Sequence, residues 1–156
     1  MLVETRPSDA PSGPTSTRQT PVQFPAGIPA FEEHDQFMLL EDARYEPMAW
    51  LQSLVGPEVG FLVAPALEIF ADYRPTLNDA DLEDLGLAPG QRPHLYCILV
   101  VHPEGGAITA NLKAPLAINL ERGRGRQVIL ADEHFALRYP VELRKPPGRE
   151  DDQCSS

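Results

Sequence analysis

The chain has 156 residues, the length of one ordinary domain, with 42% hydrophobic and 7% aromatic residues, enough for a modest core. Thirteen Lys and Arg stand against 23 Asp and Glu, a formal charge of −10. That balance argues against DNA, RNA or an anionic membrane surface as a direct ligand, because each needs clustered positive charge; it leaves neutral ligands, cationic ligands and basic proteins.

Residues 1–21 hold Pro7, Pro11, Pro14 and Pro21 with many Ser and Thr and no aromatic residue. Such a stretch cannot bury enough apolar area to offset its ordering entropy, and it is expected to be disordered. It also lacks the apolar run of a secretory signal, and no run elsewhere approaches the roughly 18–20 residues of a membrane-spanning helix. Residues 141–156 read as a flexible tail. The two cysteines, Cys97 in an apolar run and Cys154 near the end, are poor disulfide partners, so both are expected as free thiols in a reducing cytoplasm.

Residues 22–140 remain as one domain, with 8 basic and 17 acidic side chains and a net charge of −9. Short apolar runs alternate with Pro, Gly, Asn and Asp clusters, the punctuation of an all-β protein. The predicted strands are Gln36–Leu40, Met48–Gln52, Val59–Val63, Leu67–Phe70, His94–His102, Ala107–Leu112, Leu116–Leu120, Gln127–Leu130 and Phe135–Tyr139. HLYCILVV and AITANL form a hairpin closed by Gly105 and Gly106. LAINL and RQVIL form a second, with Gly123 and Gly125 available for positive φ. Leu95–Val101 is apolar on both parities, so both its faces should be covered, whereas Phe135, Leu137 and Tyr139 alternate with His134, Ala136 and Arg138 as a strand with one wet face.

One short helix is expected, about residues 79–85. Asn78 is a good N-cap, acids fill the first turn, and Gly86 sits where a C′ glycine belongs. Leu82 and Leu85 face the sheet, and Asp79, Asp81, Glu83 and Asp84 point largely outward as an acidic patch able to attract a basic protein. The fold class is therefore all-β, an antiparallel barrel-like domain with one short α-helix.

Catalytic and metal chemistry finds little support. His34, His94, His102 and His134 show no metal-ligand spacing, and His94 and His102 lie about 26 Å apart along one strand at ~3.3 Å per residue. RGRGRQ has no phosphate-loop lysine and no strand–loop–helix context, so a hairpin turn is the expectation. Ser53 lies outside any G-x-S-x-G elbow. The acidic run from Asp72 to Glu83 lacks the glycine-centred loop of a calcium hand. No cofactor, metal or enzymatic activity is expected.

Three stretches in order, FPAGIPAFEE at 24–33, WLQS at 50–53 and TANLKAPLAIN at 109–119 followed by GRGRQVIL, with YRPTLNDADLEDLGL between the second and third, together resemble the FliW family of flagellar assembly factors over almost all of residues 22–140. The resemblance implies a barrel-like cytoplasmic regulator that binds and antagonises CsrA, a small basic RNA-binding translational repressor, and alternatively binds flagellin, coupling flagellin synthesis to export. A flagellin chaperone without a CsrA arm and a small barrel binding a metabolite or nucleotide are the competing readings. A monomer is favoured. Phe31, Gln52, Asn111, Lys113 and Asn119, which match the family stretches, and Asp79, Asp81, Glu83 and Asp84 on the helix are the candidate partner contacts. For the matching residues a structural role is favoured over contact: Phe24 and Phe31 as loop anchors, Gln52 and Ser53 capping strand-end backbone, the asparagines satisfying turns. Ala30 stands where the family commonly has glycine, which strains the turn if positive φ is needed there.

Overall fold

The computed structural model describes residues 17–88, 90–131 and 134–141. Among the described residues there are nine strands: β1 (Thr17–Gln23), β2 (Gln36–Asp42), β3 (Ala49–Ser53), β4 (Gly60–Pro65), β5 (His94–Val101), β6 (Ile108–Ala110), β7 (Leu116–Asn119), β8 (Arg124–Gln127) and β9 (Tyr139–Pro140). Two short helices, α1 (Ala66–Ile69) and α2 (Asp79–Asp84), lie between β4 and β5. The strands run in the order β4-β3-β2-β1-β8-β7-β5, and β4 pairs again with β5, which closes a seven-stranded barrel. β6 and β9 extend from β5 as a flap. All pairings are antiparallel except the seam, where β1 meets β8 in parallel through Gln23 and Arg124.

The barrel wall separates two cores. Inside lie Val22, Phe37, Leu39, Leu51, Phe61, Val63, Tyr96, Ile98, Leu116 and Ile118, taken from alternate positions of six strands. Outside, under the helices and the flap, lie Ala64, Tyr73, Leu85, Cys97, Leu99, Leu112 and Ala117. β5 supplies both, Tyr96 and Ile98 inward and Cys97 and Leu99 outward, so the doubly apolar run is covered on both faces as expected.

Both hairpins form. Gly105 and Gly106 take positive φ in the first and Gly123 in the second. Gly125 serves differently: it lies within β8, and a Cβ there would stand 2.6 Å from the Phe24 ring. It is small so that Phe24 can enter the barrel. α2 begins at Asn78, whose Oδ1 accepts the Asp81 N–H at 2.8 Å, and Gly86 follows its end with φ of 74°.

Several expectations change. The segment expected to be disordered ends sooner, because Thr17–Gln23 is a strand paired along its whole length with β2. Its polar sequence is held by backbone pairing, and Pro21 fits because the β1–β8 ladder is confined to Gln23 and asks no bond of the missing Pro21 N–H. Residues 1–16 lie outside the described residues, as do residues 142–156, including Cys154. Val141 packs on the outer core and donates its N–H to the Ile108 carbonyl, so the folded part reaches one residue into the expected tail.

Leu67–Phe70 is not a strand. After Pro65 the chain turns into α1, burying Ala66 and half-burying Ile69 and Phe70 at helical spacing while Leu67 is 61% exposed. The ladder of β8 begins at Arg124 and ends at Gln127. The alternation of the expected strand persists beyond it: Val128 and Leu130 are buried, Ile129 is exposed, and the Val128 and Leu130 N–H groups bond the Pro115 and Lys113 carbonyls. Of Phe135–Tyr139 only Tyr139 pairs, with Ala110, and Leu137 is exposed.

Candidate functional site

One end of the barrel is plugged by aromatic rings. The FPAGIPAFEE stretch folds into successive turns closed by Gly27 N–H to Phe24 O, Phe31 N–H to Ile28 O and His34 N–H to Phe31 O. It presses Phe24 edge-on against Phe37 and Phe31 edge-on against Phe61, with centroids 5.4 Å apart in each pair. The turn Ile28–Phe31 has Pro29 second and Ala30 third with φ of 77°, the pattern of a type II turn that favours glycine in the third position. Ala30 thus occupies a position where an L residue is strained.

Beside the plug, Gln52 ties down the loop between β3 and β4. Its amide nitrogen donates to the carbonyls of Ser53, Pro57 and Val59, and its oxygen accepts from Trp50 Nε1 at 2.8 Å. Ser53 Oγ accepts the N–H groups of Val55 and Gly56 and lies 2.7 Å from His34 Nδ1. With both lone pairs used, the hydroxyl donates to His34 and acts as a turn cap.

At the other end the barrel is open. Arg18 on β1, Glu41 on β2, Pro65 on β4, His94 and Tyr96 on β5, and Leu120 after β7 all follow the inward parity of their strands and converge on a cavity of about 960 Å³. The 73–77 segment, α2 and residues 90–93 wall it further. Burial, and then the nearby Glu41 carboxylate, push the Tyr96 phenol up to about 12. The phenol stays protonated and donates to Glu41 Oε2 at 3.4 Å. Sequence reasoning missed this mouth. Its one legible signal is Glu41, which continues the inward series Phe37 and Leu39 with a charge.

α2 is fastened to the barrel by the arginines of the β7–β8 hairpin. Arg126 Nε contacts Asp81 Oδ1 at 2.8 Å, Arg126 Nη1 contacts Asp84 Oδ2 at 3.0 Å, and Arg124 donates to the Asp84 carbonyl. Asn119 Nδ2 donates to the Leu85 carbonyl at 2.8 Å, and its Oδ1 accepts the N–H groups of Glu121 and Arg122. The expected outward patch therefore needs correction. Asp81 is only 7% exposed and ion-paired, Asp84 is exposed but shared with Arg126, and of the four only Asp79 and Glu83 remain as exposed acids without an ion pair among the described residues. Two arginines of the RGRGRQ turn, Arg124 and Arg126, thus serve this latch, and Arg122 is exposed.

The remaining candidates are scattered. Asn111 Oδ1 accepts the N–H groups of Lys113 and Ala114, which makes it a turn residue, and half-buried Lys113 has no side-chain bond among the described residues. The fold brings Asp81, Asp84 and Asn119 together at the end of α2, and leaves Phe31 and Gln52 at the plugged end and Asn111 and Lys113 in the link between β6 and β7. Among the described residues there is no group of three or more His, Cys, Asp or Glu placed to hold a metal, and no helix long and apolar enough to cross a membrane.

The family model described as FliW protein matches residues 11–141. A flagellar assembly factor FliW from Leptospira biflexa serovar Patoc is 32% identical over 121 residues, covering 77% of this chain and 79% of the relative. Another from Syntrophomonas wolfei is 36% identical over 120 residues, covering 77% of each. A crystal structure of the flagellar assembly factor FliW superposes with a TM-score of 0.72 at 35% identity, covering 81% of this chain and 89% of that one. With a family model over most of the chain, relatives above 30% identity and a solved structure of the same fold in agreement, the chain belongs to the FliW family of flagellar assembly factors.

Proposed function

We propose that the protein binds and antagonises the translational regulator CsrA and also binds flagellin, coupling flagellin synthesis to export. It works in the cytoplasm as a monomer, by occupying other proteins and not by catalysis. The observation that carries this reading is family membership across residues 11–141. The net charge of −9 over residues 22–140 supports the CsrA arm, since long-range attraction steers a basic protein towards an acidic one and weakens with salt.

Titration calorimetry with purified CsrA and flagellin, separately and in competition, tests the proposal. Binding to each is expected at micromolar or tighter affinity, with CsrA association slowing as salt rises. Charge reversal of Asp79 and Glu83, the α2 acids without an ion pair, should slow CsrA association severalfold and leave the fold intact. Binding to neither protein overturns the proposal, and binding to flagellin alone removes the CsrA arm.

A further inference from the structure

We propose that the open mouth of the barrel is a docking site for an acidic peptide segment of a partner protein, carrying apolar side chains among its acids. The argument starts from unmet electrostatics. The chain holds 23 acidic residues, yet Arg74 and Arg92 at the rim of the mouth have neither an ion pair nor a hydrogen bond with any described residue. Arg18 has only a long contact, with Nη1 3.8 Å from Glu41 Oε1. Three guanidinium groups thus meet one cavity in a strongly negative protein, and guanidinium groups recognise carboxylates through paired hydrogen bonds.

Glu41 decides the class of anion. Its Oε1 is buried and has no hydrogen-bond donor, while Oε2 has the long bond from Tyr96. A buried acceptor of this kind needs an N–H or O–H group. A fully ionised inorganic phosphate brings negative charge to the arginines and nothing for Glu41 except repulsion. A peptide answers both demands, with side-chain carboxylates for Arg74 and Arg92 and, on a turn of the part-exposed Glu41 side chain, a backbone amide N–H for its carboxylate. The cavity wall also carries Leu77, Leu82, Leu95 and Leu120, which take the peptide's hydrophobic side chains. A basic segment would place like charge against all three arginines. The site therefore selects the opposite sign of partner from that drawn to the acidic exterior, and it stands independently of the CsrA and flagellin reading.

The test uses the full chain and a fluorescein-labelled peptide of about a dozen Leu and Glu residues, with a Leu/Lys counterpart and inorganic tripolyphosphate as comparators. Anisotropy titration should show saturable binding of the Leu/Glu peptide only, and amide shifts should move at Arg18, Glu41 and Leu77. The double variant R74E/R92E changes two exposed side chains. With unchanged circular dichroism, it should weaken binding about tenfold or more. Failure of the Leu/Glu peptide to bind, equal binding of the Leu/Lys peptide, binding indifferent to the double variant, or tripolyphosphate moving the same amides each overturns the proposal.

Discussion

Replacing Ala30 with glycine should make this protein more stable. Ala30 is exposed, so its methyl group contributes little packing, and its φ of 77° lies in the left-handed region. The turn that imposes this φ is closed by the Phe31 N–H on the Ile28 carbonyl at 2.6 Å and is held on both sides by buried anchors, Ile28 inside the core and Phe31 against Phe61. Left-handed backbone costs an L residue about 1–2 kcal/mol. The greater freedom of glycine in the unfolded chain offsets about 0.4–1 kcal/mol of that. Ala30→Gly should therefore stabilise by about 0.5–1 kcal/mol. At an unfolding entropy of about 2.1 cal/mol/K per residue over roughly 120 folded residues, Tm rises by about 2–4 °C. Ala30→Val, β-branched in the same conformation, should lower Tm. Scanning calorimetry with urea titrations at constant slope separates a change in stability from a change in the unfolded ensemble. An Ala30→Gly protein with unchanged or lower Tm refutes the assignment of strain to this turn.

Gly125→Ala drives a methyl group to 2.6 Å from the Phe24 ring, and overpacking of this kind should cost about 1–3 kcal/mol, read as a lower urea midpoint. An unchanged midpoint would show that the ring moves freely. Gln52→Leu strips the donor from three loop carbonyls and the acceptor from Trp50; a loss of about 1–3 kcal/mol and faster amide exchange at residues 54–59 are expected. Burial pushes both the Tyr96 phenol and the Cys97 thiol up to about 12, from 10 and 9, and raises the Tyr73 phenol further. The unfolded chain gives up these protons first, so stability is fully present below about pH 9 and falls as pH rises from there towards 12. Cys97→Ala should flatten the first part of that fall in urea titrations run across the range, and stability independent of pH up to 11 would contradict the burial described.

Legibility followed the reach of the interactions. The hairpins, the doubly covered β5 and the capped α2 rest on contacts within a few dozen residues, and their glycines, alternation and N-cap are written locally. β1 was hidden because TRQTPVQ has almost no strand pattern and forms through pairing with β2. Residues 135–138 have the alternation of a strand but, among the described residues, only one backbone bond, from the Leu112 N–H to the Ala136 carbonyl, and α1 replaced a strand because helical spacing served the outer core better. The acidic patch looked like a surface because the arginines that engage Asp81 and Asp84 lie some forty residues later in the sequence. The mouth was invisible for a related reason: Arg18, Glu41, Arg74, Arg92 and Tyr96 converge only when the barrel closes.

The position of β5 has a consequence for how the molecule comes apart. Because one strand is wall to the inner phenylalanine-rich core and floor to the outer helix-covered one, neither core can dissolve while the other stays intact. Heating should give a single cooperative transition, with calorimetric and van't Hoff enthalpies equal. Inherited variation meets the same constraint, since from Tyr96 to Leu99 every side chain is enclosed by one compartment or its neighbour.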